Sequence, residues 1–231
     1  MKRFYTLASV EPVEGGWRVL LDGRPVRTPA RAPLALPTRA LADAVAAEWM
    51  AQSDEVRPQD MAFTGLANAA IDQVAPNHAA FAEGVARYGQ SDLLCYRADG
   101  PAALVARQAA AWDPLLDWAR GRYDVAFAVT SGIIPVAQAD ETLERLGQAV
   151  AAFDPFTLTG LSTLVTLSGS LVCGLAVVEG GHDHESVWAA SEIDESWAVE
   201  QWGEDAEASA RSARRAGEFS MARAFCAMSR A

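Results

Sequence analysis

Apolar positions alternate along "GGWRVLLDGRPVRTPA" (residues 15–30), with Trp17, Val19 and Leu21 on one side. That period of two predicts a half-buried strand. Asp22-Gly23 supplies a two-residue hairpin turn, since both residues tolerate positive φ, and Val26 and Thr28 continue on a returning strand. "APLALPT" predicts another short extended piece ending at Pro37. From Thr38, a residue type that caps helices, the period lengthens. In "RALADAVAAEWMAQ" the residues Leu41, Val45, Glu48/Trp49 and Gln52 recur at helical spacing.

Helical patterning dominates from there on. "FTGLANAAIDQV" predicts a helix stopped by Pro76-Asn77, and "HAAFAEGVARYGQSDLLCY" resumes it with a break around Gly89. "LVARQAAAWDPLLDWARGRY" carries a stripe of Leu104, Gln108, Ala111/Trp112, Leu115 and Trp118/Ala119, in which Pro114 can either kink the helix or open a second one. "VAFAVTSGIIPV" reads as an extended link, and residues 139–153 as an amphipathic helix. Strands first and helices afterwards predict an α+β fold rather than alternating βαβ units. The expected organisation is a small sheet-containing domain over residues 1–75 and a larger, mostly helical domain over residues 76–231.

Residues 156–178, "FTLTGLSTLVTLSGSLVCGLAVV", contain no charge and are long enough to span a bilayer. Seven of them are Ser or Thr, and no basic cluster flanks the run. A buried helix, or a helix pair broken near Gly169, is the expectation, with no integral membrane segment.

With 51% apolar residues the chain can build a real core. The net charge of −11, with Lys2 as the single lysine, excludes sequence-independent nucleic-acid binding, which needs clustered Lys and Arg. No Walker loop and no GxGxxG after a strand is present, so the common nucleotide-dependent chemistries are not expected. Cys95, Cys173 and Cys226 are odd in number and widely spaced, which fits a reducing compartment and neither a disulfide framework nor a zinc ribbon. The opening "MKRFYTLASV" lacks the apolar core of a secretory signal, so the cytoplasm is the expected location.

Candidate chemistry concentrates near the C-terminus. "SEIDESWAVEQWGEDAEA" (residues 191–208) holds seven acidic residues, two tryptophans and no Lys or Arg. Taken as one helix, Trp188, Glu192, Glu195, Val199 and Trp202 form one stripe, and Ile193, Trp197, Glu200/Gln201 and Glu204 its neighbour. Large aromatics therefore stand among the acids. Three readings remain open from the residues alone: a protein interface, whose cores favour aromatics and whose charges steer partners; an ordinary solvated helix face; or an enzyme or metal site. The last would join Asp194/Glu195 to His182 and His184 of "GGHDHE" as a small acid–base or metal-dependent hydrolase, although HExxH spacing is absent.

A run of blocks in one order decides among these. "LLDGRPVRTPA" (20–30), "LPTRALADAVAAEW" (36–49), the Pro58/Met61/Thr64 pattern, "NAAIDQV" (68–74), "DLLCYRADGP" (92–101), "RQAAAWDPLLDWA" (107–119), "SGIIPVAQ" (131–138) and "DESWAVEQWGEDAEA" (194–208) span nearly the whole chain. Together they resemble the assembly chaperones of the F1 part of ATP synthase that bind its alpha subunit before beta joins. The resemblance implies a small sheet-containing domain followed by a helical one. It implies an ATP-independent, non-enzymatic chaperone without cofactor or metal, whose partner is the F1 alpha subunit, in a bacterial cytoplasm. Self-association is left open. The family's functionally important acid falls on Asp194, with Glu195 beside it. The partner-binding residues implied are Asp194, Glu195, Trp197, Glu200, Trp202, Glu204, Asp205 and, from "AEW", Trp49. Two departures from the family pattern are Ala62-Phe63 and Ala198.

Overall fold

Val19 and Leu21 point one face of the central strand into a core, as their alternation requires. The computed structural model describes residues 2–132 and 134–230; Ile133, within the "SGIIPVAQ" block, lies outside the described residues. Strand β2 (Gly16–Leu21) pairs antiparallel with β1 (Ala8–Val13), in register Val10↔Val19, and with the short strands β3 (Arg24–Pro25) and β4 (Ala35–Leu36). Asp22 and Gly23 both take positive φ, 47° and 79°, in the tight turn between β2 and β3. Strand β1 was not evident in the pattern, because "ASVEPV" places Glu11 and Pro12 in mid-strand. Residues that disfavour a central strand are tolerated at a sheet edge.

Helix α1 (Arg39–Ala51) starts where Thr38 accepts the Leu41 N–H, as its capping chemistry predicts. Its buried face, Leu41, Ala42, Val45 and Ala46, closes on Val19, Leu34 and Leu36 of the sheet region. Glu48 reaches from α1 to the start of α2 (Ala62–Ala69), where its carboxylate accepts the N–H groups of Phe63 (2.7 Å) and Thr64 (2.8 Å) and the Thr64 hydroxyl (2.7 Å). A carboxylate is favoured there because a helix start presents unpaired N–H groups.

The chain divides into two compact units, each described by itself. The first joins Met1–His78 to Asp154–Gly160 and Ala224–Ala231, the latter two adding Phe156 and Phe225, whose rings stack at 6.3 Å. The second comprises Ala79–Phe153 and Leu161–Arg223. Charge is segregated between them: ten acids against nine bases in the first, twenty against ten in the second.

The second unit is built on α4 (Ala102–Tyr123), one continuous helix with Pro114 inside it. Around α4 pack α5 (Asp140–Ala151), α7 (Leu171–Val178), α8 (His184–Ser191) and α9 (Ile193–Trp202). Helix α3 (His78–Ala86) precedes them, and α6 (Pro155–Ser168) and α10 (Ala206–Ser229) contribute to both units. The link before α5 pairs β6 (Thr130–Ser131) with β5 (Tyr96–Arg97) in parallel.

The charge-free run becomes α6 and α7, separated at Gly169. No described helix is long and apolar enough to cross a membrane. Gly174 lets these helices meet: a Cβ there would lie 2.5 Å from Val165 Cγ2 and 3.0 Å from Leu161 Cδ1. Gly174→Ala is therefore expected to lower stability by about 1–3 kcal/mol through overpacking. Urea titration should show the midpoint falling with an unchanged slope; an unchanged midpoint would contradict the close approach.

Candidate functional site

The acidic stretch folds as two helices and a cap, which corrects the one-helix stripe. Asp183 opens α8 by accepting the N–H groups of Glu185 and Ser186, and these bonds, Ser186 first, hold its carboxyl below the usual carboxylate range. Helix α8 ends at Glu192, whose φ of −100° and ψ of 14° leave the helical region. Ile193 is buried and starts α9. Gly203 ends it with φ 92°, a backbone conformation that side chains strongly disfavour. Asp205 then accepts the Glu207 N–H at 3.1 Å in the first turn of α10.

The predicted residues fall into three groups. Asp194, Trp197 and Glu200 are held by α4. Asp194 Oδ1 accepts from Gln108 Nε2 at 2.7 Å, and Gln108 Oε1 in turn accepts the Ala98 N–H at 2.8 Å. Gln108 is fully buried, so its amide fixes Asp194 rather than sharing it freely with solvent. Arg107 forms two parallel bonds to Glu200, at 2.6 and 2.9 Å, and its guanidinium lies 5.2 Å from the Trp197 ring centre. Asp205 serves chiefly as the cap just described.

Glu195, Trp202 and Glu204 form the second group. All three are exposed, and their side chains make no hydrogen bond, ion pair or ring contact among the described residues. Trp202 is 83% exposed, which no demand of the core explains. Glu195 also lines a groove of about 540 Å³ between α9 and α10, together with Val199, Ser209 and Ser212. Glu192 anchors that groove's floor by accepting from Ser212 Oγ at 2.9 Å and pairing with Arg215 at 3.2 Å.

Trp49 stands alone, on α1 in the other unit. It is half-buried, meets Tyr5 edge-on at 5.6 Å, and has a buried indole N–H without an acceptor among the described residues.

Arg107 and Gln108 were missed as members of the site. The available signal was Gln108 itself, a polar residue in the apolar stripe of α4. The bond to Arg107 holds the Glu200 carboxyl below its ordinary range. A lowered folded-state pKa contributes stability above the ordinary glutamate pKa and loses it as pH falls through the shifted value. Glu200 should therefore titrate, by carboxyl-carbon NMR, below a free glutamate, and Arg107→Ala should return it to the ordinary range. The pair is solvent-exposed, so the same variant should barely change global stability.

The hydrolase alternative finds no assembled site. Among the described residues no three His, Cys, Asp or Glu side chains are grouped to hold a metal ion. His182 packs edge-on to Trp118 at 6.3 Å and lines a cavity of about 220 Å³ with Ala111, Leu115 and Ser186, none of them a carboxylate. His184 Nδ1 lies 3.6 Å from Asp183. All three thiols are pushed up to about 12, first by burial, so none is an activated nucleophile.

Residues 2–120 match a family model described as ATP12 chaperone protein. The crystal structure of Atp12 from Paracoccus denitrificans is 46% identical, with 99% of this chain and 98% of that chain covered and a TM-score of 0.95. A variant of the same Paracoccus protein, with one aspartate replaced by lysine, matches at 46% identity, 99% and 97% coverage, and a TM-score of 0.95. The Agrobacterium tumefaciens protein Atu1473 is 42% identical, with 98% of this chain and 85% of that chain covered and a TM-score of 0.94.

Proposed function

The chain belongs to the ATP12 chaperone family, and on that premise we propose that it binds the F1 ATP synthase alpha subunit and shields it from aggregation until beta replaces it. An assembly-chaperone role follows from the family. The choice of alpha as client, and of α9 and its flanks as the contact, is our reading. One observation carries it: Trp202 stands almost fully in solvent beside the unpaired carboxylates of Glu195 and Glu204. A large exposed aromatic among unneutralised charges suits a surface that is covered by a partner.

An unassembled subunit exposes apolar surface otherwise buried against its neighbour, and such surface aggregates. Acidic groups would attract a basic region of alpha and speed encounter without requiring tight retention. Asp194 would supply charge from a fixed position, since Gln108 orients it, while Glu195 and Glu204 remain free to pair. Neither ATP nor a metal is needed for this action. The bacterial cytoplasm, where F1 assembles, is the proposed site of action, and three unpaired buried cysteines agree with it.

The test is to refold or heat purified alpha with and without this chain, following light scattering and size exclusion. Suppressed scattering and a co-eluting complex are expected. Neither protection nor a complex at several salt concentrations would overturn the assignment of alpha as client.

A further inference from the structure

In the nearly neutral first unit, residues 4–7 form a strap over the β2–β3 turn. Asp22 fastens it: its carboxylate accepts the Thr6 N–H at 3.0 Å and the Leu7 N–H at 2.9 Å. Arg3 adds bonds from Nε to the Tyr5 carbonyl and from Nη2 to the Thr6 carbonyl, both at 3.0 Å, and the Tyr5 hydroxyl donates to the Trp49 carbonyl at 2.6 Å. Beneath the strap lies a groove of about 490 Å³ whose apolar walls include Phe4, Leu21, Val26 and Trp49. Phe4 is 63% exposed at its edge.

One further feature gives the groove a chemical preference. Arg24 and Arg27 both line it, and neither pairs with a carboxylate among the described residues. The one carboxylate in the lining, Asp22, is occupied by the strap. The Trp49 indole N–H is buried out of solvent's reach, with no acceptor among the described residues, so Trp49 serves the groove as an apolar wall.

We propose that this groove is a second docking site of the chaperone, which takes an extended segment of the client protein carrying an apolar side chain beside a carboxylate. The apolar side chain lies between Phe4 and Trp49, and the carboxylate faces Arg24 and Arg27. The two unpaired arginines complement the charge of this occupant, and the polarity of the groove is opposite to that of the α9 region. The proposal rests on the chaperone reading above. It adds that the client presents both a basic and an acidic contact.

Calorimetry with the purified F1 alpha subunit tests it, using wild type, the double variant Arg24→Glu/Arg27→Glu, and Phe4→Ala, which removes an exposed apolar wall of the groove. All three must first show matching circular-dichroism spectra. About a tenfold loss of affinity is expected for the double variant, equivalent to about 1.4 kcal/mol, with a smaller loss for Phe4→Ala. Unchanged affinity in the double variant overturns the groove reading. Should wild type bind no alpha at all, the client assignment fails by itself. The groove is then judged by indole NMR with a peptide of two leucines flanked by glutamates. A shifted Trp49 signal, absent with lysine flanks, upholds it, and an unmoved signal overturns it.

Discussion

Asp92→Ala should lower the stability of the helical unit by about 3 kcal/mol or more, because two buried N–H groups lose their acceptor at about 1–3 kcal/mol each. Asp92 is fully buried. Its Oδ1 accepts the Leu94 N–H at 3.1 Å, and its Oδ2 accepts the Val172 N–H at 3.0 Å at the start of α7. One side chain thus ties the short turn at Leu93–Cys95 to a helix that is itself buried along its length. For a chain of this size the loss corresponds to a fall in melting temperature of about 6–12 °C. A fall of a degree or less would show that the carboxylate is dispensable.

The same residue makes a signed pH prediction. Burial, the largest cause, raises its pKa, against the opposing pull of the Val172 N–H, the Ser170 hydroxyl and the Leu94 and Leu171 N–H groups. Between the ordinary aspartate pKa and the raised one, the native chain keeps a proton that the unfolded chain has released. Stability from this group therefore falls as pH rises through that window. Asp92→Asn cannot titrate, so the wild-type-minus-Asn stability difference should shrink as pH rises there. Denaturant titrations across the acidic range measure this, and a difference that grows with pH would reverse the sign.

Asp92 also marks the limit of what the sequence discloses. Local chemistry was legible: the Asp22-Gly23 turn, the Thr38 cap and the separation at Gly169 each depend on a residue and its near neighbours. Strand β1 was hidden because it gains its place from pairing with β2 rather than from its own alternation. The continuity of α4 through Pro114, and the reach of Glu48 to α2, are likewise tertiary outcomes. The site divides the same way. Acids interleaved with tryptophans announced the segment, but its break at Glu192 depends on burial of Ile193 and on Arg215. The division between tethered and free acids depends on Arg107 and Gln108, which are distant in sequence. Trp49 sits among residues of the other unit, so its kinship with the α9 residues came from the family resemblance alone.

Reversing charge at Glu195 and Glu204 together, by Glu195→Lys/Glu204→Lys, should slow capture of the alpha subunit by about tenfold or more at low salt, since exposed charges act mainly on encounter. The defect should shrink as ionic strength rises past 0.1 M, where screening acts over about 10 Å. Trp202→Ala should do the opposite: nearly normal association with dissociation faster by about tenfold, as expected when an aromatic anchor is lost. Neither change touches a buried partner, so both proteins should melt as wild type does. Asp194 separates charge from position. Asp194→Asn keeps an oxygen for Gln108 and should lose only part of the association rate. Asp194→Ala strands the buried Gln108 amide and should also loosen α9, seen as faster amide exchange there. Stopped-flow mixing with alpha at two salt concentrations distinguishes these outcomes. Equal association rates for wild type and the double reversal at low salt would refute the steering role of the free carboxylates, and unchanged dissociation in Trp202→Ala would leave that exposed ring without a purpose in binding.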